Sequence, residues 1–247
     1  MADVLINDEY LSDIAAAIRT KSGSVLSYKP KEMANAIIAI PTSDGSEIDN
    51  LSKQLIERTL EGAVVLDVDY IGAYGLCNMD GMTSLTCTAK TVQASGCSGC
   101  NNLTTVNFPE VTYLGNSALA SNTKLTAVSI PKIRNIYSYA FSGCSSLEKL
   151  DLGSNLQGLY GSIAGNCGKL TAIIIRATSV PDCVEQSNPF PTNFKNTYSG
   201  TVPGYIYVPR DMIAAYQGYE GAPSYDQYDY WTMQNYRAIE DYPDICG

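Results

Sequence analysis

The chain has no histidine. That single absence removes the side chain most often used for proton transfer near neutral pH, and the commonest metal ligand with it. Serine or cysteine triads that depend on an imidazole are excluded within the chain. No glycine-rich nucleotide loop and no nucleophile-elbow pattern occurs. Basic residues are scarce: 16 lysines and arginines stand against 25 acidic residues, a net charge of −9. Phosphate backbones and anionic bilayers need clustered positive charge, so neither nucleic acid nor membrane is an expected partner. No apolar run approaches transmembrane length. The first residues, MADVLINDEYLSDIAAAIRT, lack the basic start, apolar run and cleavage site of a secretory leader, and the chain is expected to remain in the compartment where it is made unless an assembly carries it out. Eight cysteines in a reducing compartment are expected as thiols. No cofactor and no catalytic residue is nominated, and the chain reads as a non-enzyme.

Against these absences stands a repeat. Ile71, Val92, Leu114, Ile136 and Leu159 are each followed five positions later by Leu76, Cys97, Leu119, Phe141 and Ala164. Successive spacings are 21, 22, 22 and 23 residues in both series. A closing leucine ends each unit: Leu85, Leu103, Leu125, Leu147 and Leu170. It lies nine residues after the follower in the first unit and six in the others, so the first unit reads as longer by three. A short alternating stretch comes next. Val106 and Phe108, Val128 and Ile130, Leu150 and Leu152, Ile173 and Ile175 are expected inward, and Asn107, Ser129, Asp151 and Ile174 outward. After Leu85 the same inward slots hold Thr88 and Lys90, which reads as a degenerate rung. One such unit cannot bury its own apolar side, whereas stacked units share a continuous core.

The flanks read differently. Residues 1–41 have helical apolar spacing, with Leu11, Ile14, Ala15 and Ile18 on one stripe and Met33, Ile37 and Ile40 on another. Pro30 suits a first helical turn, and Pro41 stops the second helix. Residues 42–62 form a linker and a short helix carrying Ile48, Leu51 and Leu55. The ladder is assigned to 63–209, and a helical, tyrosine-rich cap to 210–247, with a helix near Asp211 to Gln217. The expected class is therefore α+β: a solenoid of short strands between an N-terminal helical module and a C-terminal cap.

Two features invite a sharper chemistry. Cys97 and Cys100 have metal-ligand spacing, with Cys77 and Cys87 near in sequence. Cys100, Cys144 and Cys167 recur in one slot, three residues before the closing leucine, and a recurring slot is a packing position; no metal is assigned. Tyrosine is abundant, 18 residues, and supplies rigid contact area with a polar tip. Tyr137, Tyr139 and Tyr160 divide evenly between packing and exposure. Tyr219, Tyr225, Tyr228 and Tyr230, set among Gly, Pro, Ser and Asp, are expected to face outward. With Asn107, Ser129 and Asp151 they form the candidate binding surface.

The segment IYSYAFSGCSSL, residues 136–147, resembles the core motif of the BspA-type (Treponema pallidum-type) leucine-rich repeat family. That resemblance implies adhesion or ligand binding. The segments LSDIAAAIRTKSG…KPKEMANAI, NLSKQLIERTLEG and YWTMQNYRAIEDYP resemble phage and prophage structural proteins from Gram-positive hosts. This implies a virion component, a fibre, head-fibre or tail part made in the host cytoplasm. Residues 1–60 would attach it to the particle or to its own copies, with a trimer suiting a fibre, while the ladder meets a host surface protein or glycan. The alternative is a bacterial surface adhesin carrying the same repeats, which needs an export route.

Overall fold

The computed structural model describes residues 59–184, 188–218 and 230–247. The helical module expected over 1–41, and nearly all of the linker over 42–62, lie outside these residues. What is described is mostly strand: a repeat of two short strands per rung, stacked into two parallel sheets.

The first sheet, sheet A, has eight strands in the order β1 (Gly62–Leu66), β3 (Met82–Cys87), β5 (Thr105–Asn107), β7 (Ala127–Ser129), β9 (Lys149–Asp151), β11 (Ala172–Ile174), β13 (Tyr205–Val208) and β14 (Tyr236–Ala238). The second, sheet B, has six: β2 (Tyr70–Ile71), β4 (Thr91–Val92), β6 (Tyr113–Leu114), β8 (Asn135–Ile136), β10 (Gly158–Tyr160) and β12 (Asp182–Val184). Each rung crosses from A to B and back, so neighbours in a sheet are one repeat apart in sequence. This is the physical content of the 21-to-23-residue period.

Register confirms the inward slots and corrects one of them. Val106 pairs with Val128, Val128 with Leu150, Leu150 with Ile173 and Ile173 with Ile206. Leu85 pairs with Val106 and so occupies this strand slot; it is not a closing residue. Met82 closes the first unit instead. Its amide donates to Met79 O as that of Leu103 donates to Cys100 O and that of Leu125 to Asn122 O. Met82 lies six residues after Leu76, like every other closing residue after its follower. The first unit therefore has no extra residues, and its rung is not degenerate: Leu85 and Cys87 are its inward pair, both buried. Methionine's flexible thioether fills a leucine-shaped slot, so the position carries no leucine signature. Leu103, Leu125, Leu147 and Leu170 are fully buried as expected.

The corners need an unusual backbone. Tyr74, Ser95, Ser117 and Tyr139 each sit two residues before the follower at φ between 54° and 63°. Left-handed backbone is unfavourable for side chains other than glycine, and here it recurs because the stack enforces it. It turns the chain so that amides reach the next rung: Ser117 N donates to Ser138 O at 2.9 Å and Leu119 N to Ala140 O at 2.8 Å. At the sheet A exit, Gly153 is at φ 61°, and a Cβ there would stand 2.2 Å from Pro131 O.

The slot three residues before the closing residue holds Met79, Cys100, Asn122, Cys144 and Cys167, all buried. Cys100 Sγ donates to Leu76 O at 3.1 Å, Asn122 Nδ2 to Cys97 O at 3.0 Å, Cys144 Sγ to Leu119 O at 3.2 Å and Cys167 Sγ to Phe141 O at 3.1 Å. Each of these carbonyls belongs to the follower of the preceding rung. Asn122 also accepts from Cys100 N at 2.9 Å and donates to Leu119 O at 2.8 Å. Thiol and carboxamide thus perform one task, satisfying a carbonyl that the corner leaves inside the core.

The far end is closed by aromatic packing. Trp231 is fully buried and donates from Nε1 to Pro181 O at 2.7 Å. Its ring lies 5.0 Å from Tyr216 on the helix α1 (Ile213–Gln217) and 5.2 Å from Phe190. The helix expected near Asp211 is present, as a 3-10 turn Arg210–Met212 running into α1. The cap also contributes what its sequence did not announce: β14 extends sheet A past residue 209, pairing parallel to β13.

Candidate interaction surface

Alternation on sheet A sends one set of side chains into the core and leaves the other on the outer face. From β1 to β7 the outer residues are small or hydroxylated: Ala63, Thr105, Asn107, Ala127 and Ser129 are exposed, and Ser84 and Thr86 half-buried. Val65 is 58% exposed. Nothing described lies across this part of the sheet, so Asn107 and Ser129 stand on an open face as the pattern required.

Past β9 the same face is covered. The chain after β14 passes through a 3-10 turn, Ile239–Asp241, and a final short helix, α2 (Pro243–Cys246). Ala172, Ile174, Tyr207 and Cys246 form a small second core there, with Ile239, Tyr242 and Ile245 packed against it. Ile174 points outward as expected yet is fully buried, because this segment lies on it. Asp151 is drawn into the fastening: its carboxylate accepts from Arg176 and from Gly153 N, both at 3.0 Å. Arg176 also donates to Cys246 O, and Lys149 Nζ donates to Ile245 O at 3.2 Å. Asp151 is thus partly a structural anion, at the edge of the open face.

Between the open face and the C-terminal segment lies a groove of about 570 Å³. Thr126, Glu148, Lys149, Thr171, Tyr205 and Arg237 line it, together with Val202, Pro203 and Asp244. The Arg237 guanidinium stacks 3.4 Å from the centroid of Tyr205 and 4.8 Å from that of Tyr242. Burial pushes the Tyr207 phenol up, while its hydrogen bond to Arg237 opposes the rise. The groove itself carried no signal in sequence, since it depends on β14 and on the folding-back of the last residues.

Sheet B presents tyrosine. Tyr137 stacks on Tyr160 with centroids 4.3 Å apart and planes 5° from parallel, and Tyr113 tilts against Tyr137 at 5.0 Å. Burial and the neighbouring Tyr137 both push the Tyr113 and Tyr160 phenols up. Tyr137 and Tyr160 therefore pack between rungs, while Tyr139 is 55% exposed on its corner. Tyr219, Tyr225 and Tyr228 lie outside the described residues. Tyr230 is not a surface residue: it is 8% exposed, held beside the Trp231 anchor, with its carbonyl accepting from the buried Gln234 at 2.7 Å. The polar residues before it suggested exposure, but Tyr230 belongs to the aromatic plug.

Six of the eight thiols are buried, and Cys77 and Cys183 are half-buried. No disulfide joins any of the eight cysteines. Burial pushes Cys97 well above the usual thiol range, Cys144 up to about 12 and Cys167 up to about 11. Among the described residues, no group of three or more Cys, Asp or Glu stands where it could hold a metal ion.

No curated protein matches this sequence. Among solved structures, the chain resembles the pneumococcal vaccine antigen PcpA, with a TM-score of 0.48 and 16% identity, covering 66% of this chain and 40% of that one. It also resembles a leucine-rich repeat protein from Bacteroides ovatus, with a TM-score of 0.39 and 18% identity, covering 71% and 55%. The chain thus spans about half the length of these two proteins. A family model for the BspA type leucine rich repeat region matches residues 69–184 in six copies. The matched copies coincide with the stacked rungs from β2 to β12, so this part of the chain is similar to a BspA-type leucine-rich repeat region.

Proposed function

We propose that the chain is a virion-associated structural protein whose leucine-rich repeat ladder recognises the host surface through the outer face of sheet A. The observation that carries the recognition role is the open run from β1 to β7, where small and hydroxylated side chains face outward from a rigid ladder. Leucine-rich repeats in general mediate protein interaction by such strand faces, with the core fixing the spacing of the outward positions. The reading includes no catalysis: the chain lacks histidine, and the outer face gathers no paired acid and base. The virion part of the reading is supported by the resemblance of residues 1–60 and of the last residues to phage structural proteins. It places the protein on a particle made in the host cytoplasm.

The test has two arms. Particles induced from the strain carrying the gene are purified and examined by mass spectrometry for this chain. Separately, the full chain is measured for adsorption to host cells as the parent and as the double variant Asn107→Lys, Ser129→Lys. Presence in particles, and adsorption that the double variant loses, is the expected result. Absence from particles removes the virion assignment, and unchanged adsorption by the variant removes sheet A as the recognising face.

A further inference from the structure

Resting on that recognition role, we propose that the groove between sheet A and the C-terminal segment binds a neutral carbohydrate. Its volume of about 570 Å³ lies within the ~300–1,000 Å³ typical of small-molecule sites. Ala127 and Ala172 are among the residues that line it, and their short side chains fill less of it than those of their longer neighbours. Val202, Pro203 and Tyr205 provide apolar surface, and Glu148, Lys149, Thr171 and Asp244 provide donors and acceptors around it. A sugar ring has this same division, with apolar C–H faces and a rim of hydroxyls that both donate and accept.

Other ligand classes fit less well. Two cations, Lys149 and Arg237, are matched by two carboxylates, Glu148 and Asp244, so an anionic ligand meets as much repulsion as attraction. Lys149 already donates to Ile245 O, and Arg237 lies over Tyr205. The same contacts hold both cations in place before any ligand arrives, which lowers the ordering cost of binding. A peptide cannot enter by adding a strand, because β7, β9, β11 and β13 are each paired on both sides.

The test uses the full chain with maltotriose, cellotriose, chitotriose and mannotriose, and with sialyllactose and a heparin tetrasaccharide as anionic counterparts. Saturation-transfer NMR and calorimetry read contact and affinity. At least one neutral trisaccharide should bind. Glu148→Ala, an exposed position whose side chain supports no core contact, should weaken it about tenfold through loss of a charged hydrogen-bond acceptor. Tyr205→Leu, which keeps apolar bulk, should also weaken it, with melting temperatures reported for both variants. Binding by none of the neutral sugars, binding by the anionic ones alone, or affinity unchanged in both variants overturns the proposal. If sugars fail while adsorption to cells persists and depends on Asn107 and Ser129, only the carbohydrate assignment falls. If adsorption fails too, the recognition role falls with it.

Discussion

Asn122 does for Cys97 what Cys144 does for Leu119: each donates a hydrogen bond to the buried follower carbonyl of the preceding rung, at 3.0 Å and 3.2 Å. A carboxamide and a thiol are interchangeable here because the demand comes from the backbone. Asn122→Cys should therefore be mild, whereas Asn122→Leu strands both Cys97 O and Cys100 N. Each orphaned group costs about 1–3 kcal/mol. Urea unfolding of the two variants should separate them clearly; equal stabilities would show that the carbonyl is satisfied some other way.

The corrected register can be tested at Met82. Truncation to alanine should cost about 2–5 kcal/mol, as should Leu147→Ala in the same slot three rungs on. Met82→Leu should cost less than about 1.5 kcal/mol, because it conserves volume and shape class. A large loss for the leucine variant would mean that Met82 does not close its unit as Leu103 and Leu147 do.

Alkaline pH should expose the buried thiols. Cys144 and Cys167 are protonated in the folded chain up to about 12 and about 11, against an ordinary value of 9.0. Below pH 9 both states hold the proton and these thiols add no pH dependence. Between pH 9 and those values the unfolded state loses protons that the folded state keeps, so stability falls as pH rises. Each such thiol contributes about 1.4 kcal/mol per pH unit over its window. Denaturation measured from pH 8 to 11 should show a slope that is shallower by one proton in Cys144→Ala. An identical slope would mean that the Cys144 thiol ionises in the folded protein as it does in the unfolded one.

Gly153→Ala should be more damaging than an ordinary glycine replacement. The position combines φ 61° with a Cβ that would stand 2.2 Å from Pro131 O. Left-handed backbone alone costs a side chain about 1–2 kcal/mol, and the clash adds to it. A drop in melting temperature well beyond that of Gly168→Ala, where a Cβ meets open space, is the expected outcome.

Releasing the C-terminal segment should be possible without unfolding the ladder. Arg176 joins Asp151 on the sheet to Cys246 O on that segment. Arg176→Ala removes a partly buried ion pair, its side chains 36% and 16% exposed, and should cost no more than about 3 kcal/mol of global stability. Amide exchange in residues 239–247 should nonetheless accelerate, and exchange in β5 and β7 should not. Equal acceleration in both regions would show that the segment and the ladder open together.

The ladder was legible because its demands are periodic. Leu103, Leu125 and Leu147 announce themselves by spacing, and alternation around Val128 and Ile130 fixes which neighbours face out. Met82 was missed because its chemistry imitates leucine without its name, and that displaced Leu85 and Cys87 from their slots. β14 was missed because Tyr236, Arg237 and Ala238 have no aliphatic alternation; the strand forms by pairing with β13 and by Tyr236 donating to Trp231 O at 2.6 Å. Tyr230 was misplaced because local polarity says nothing about an adjacent tryptophan that plugs the end. Asn107 and Ser129 could be placed by periodicity alone, whereas the groove around Arg237 depends on a return of the chain from far along the sequence.

On the three-residue strands β5 and β7 of sheet A, the residue that stabilises the ladder and the residues that meet the surroundings are neighbours with separate duties. Val128 faces the core, and Ala127 and Ser129 flank it on the outside. Mutation of the outer two alters no buried contact, so the open face can drift in sequence while the scaffold stays under the threshold at which it unfolds. Such a surface can change by single substitutions at fixed spacing, without new loops and without compensating changes beneath.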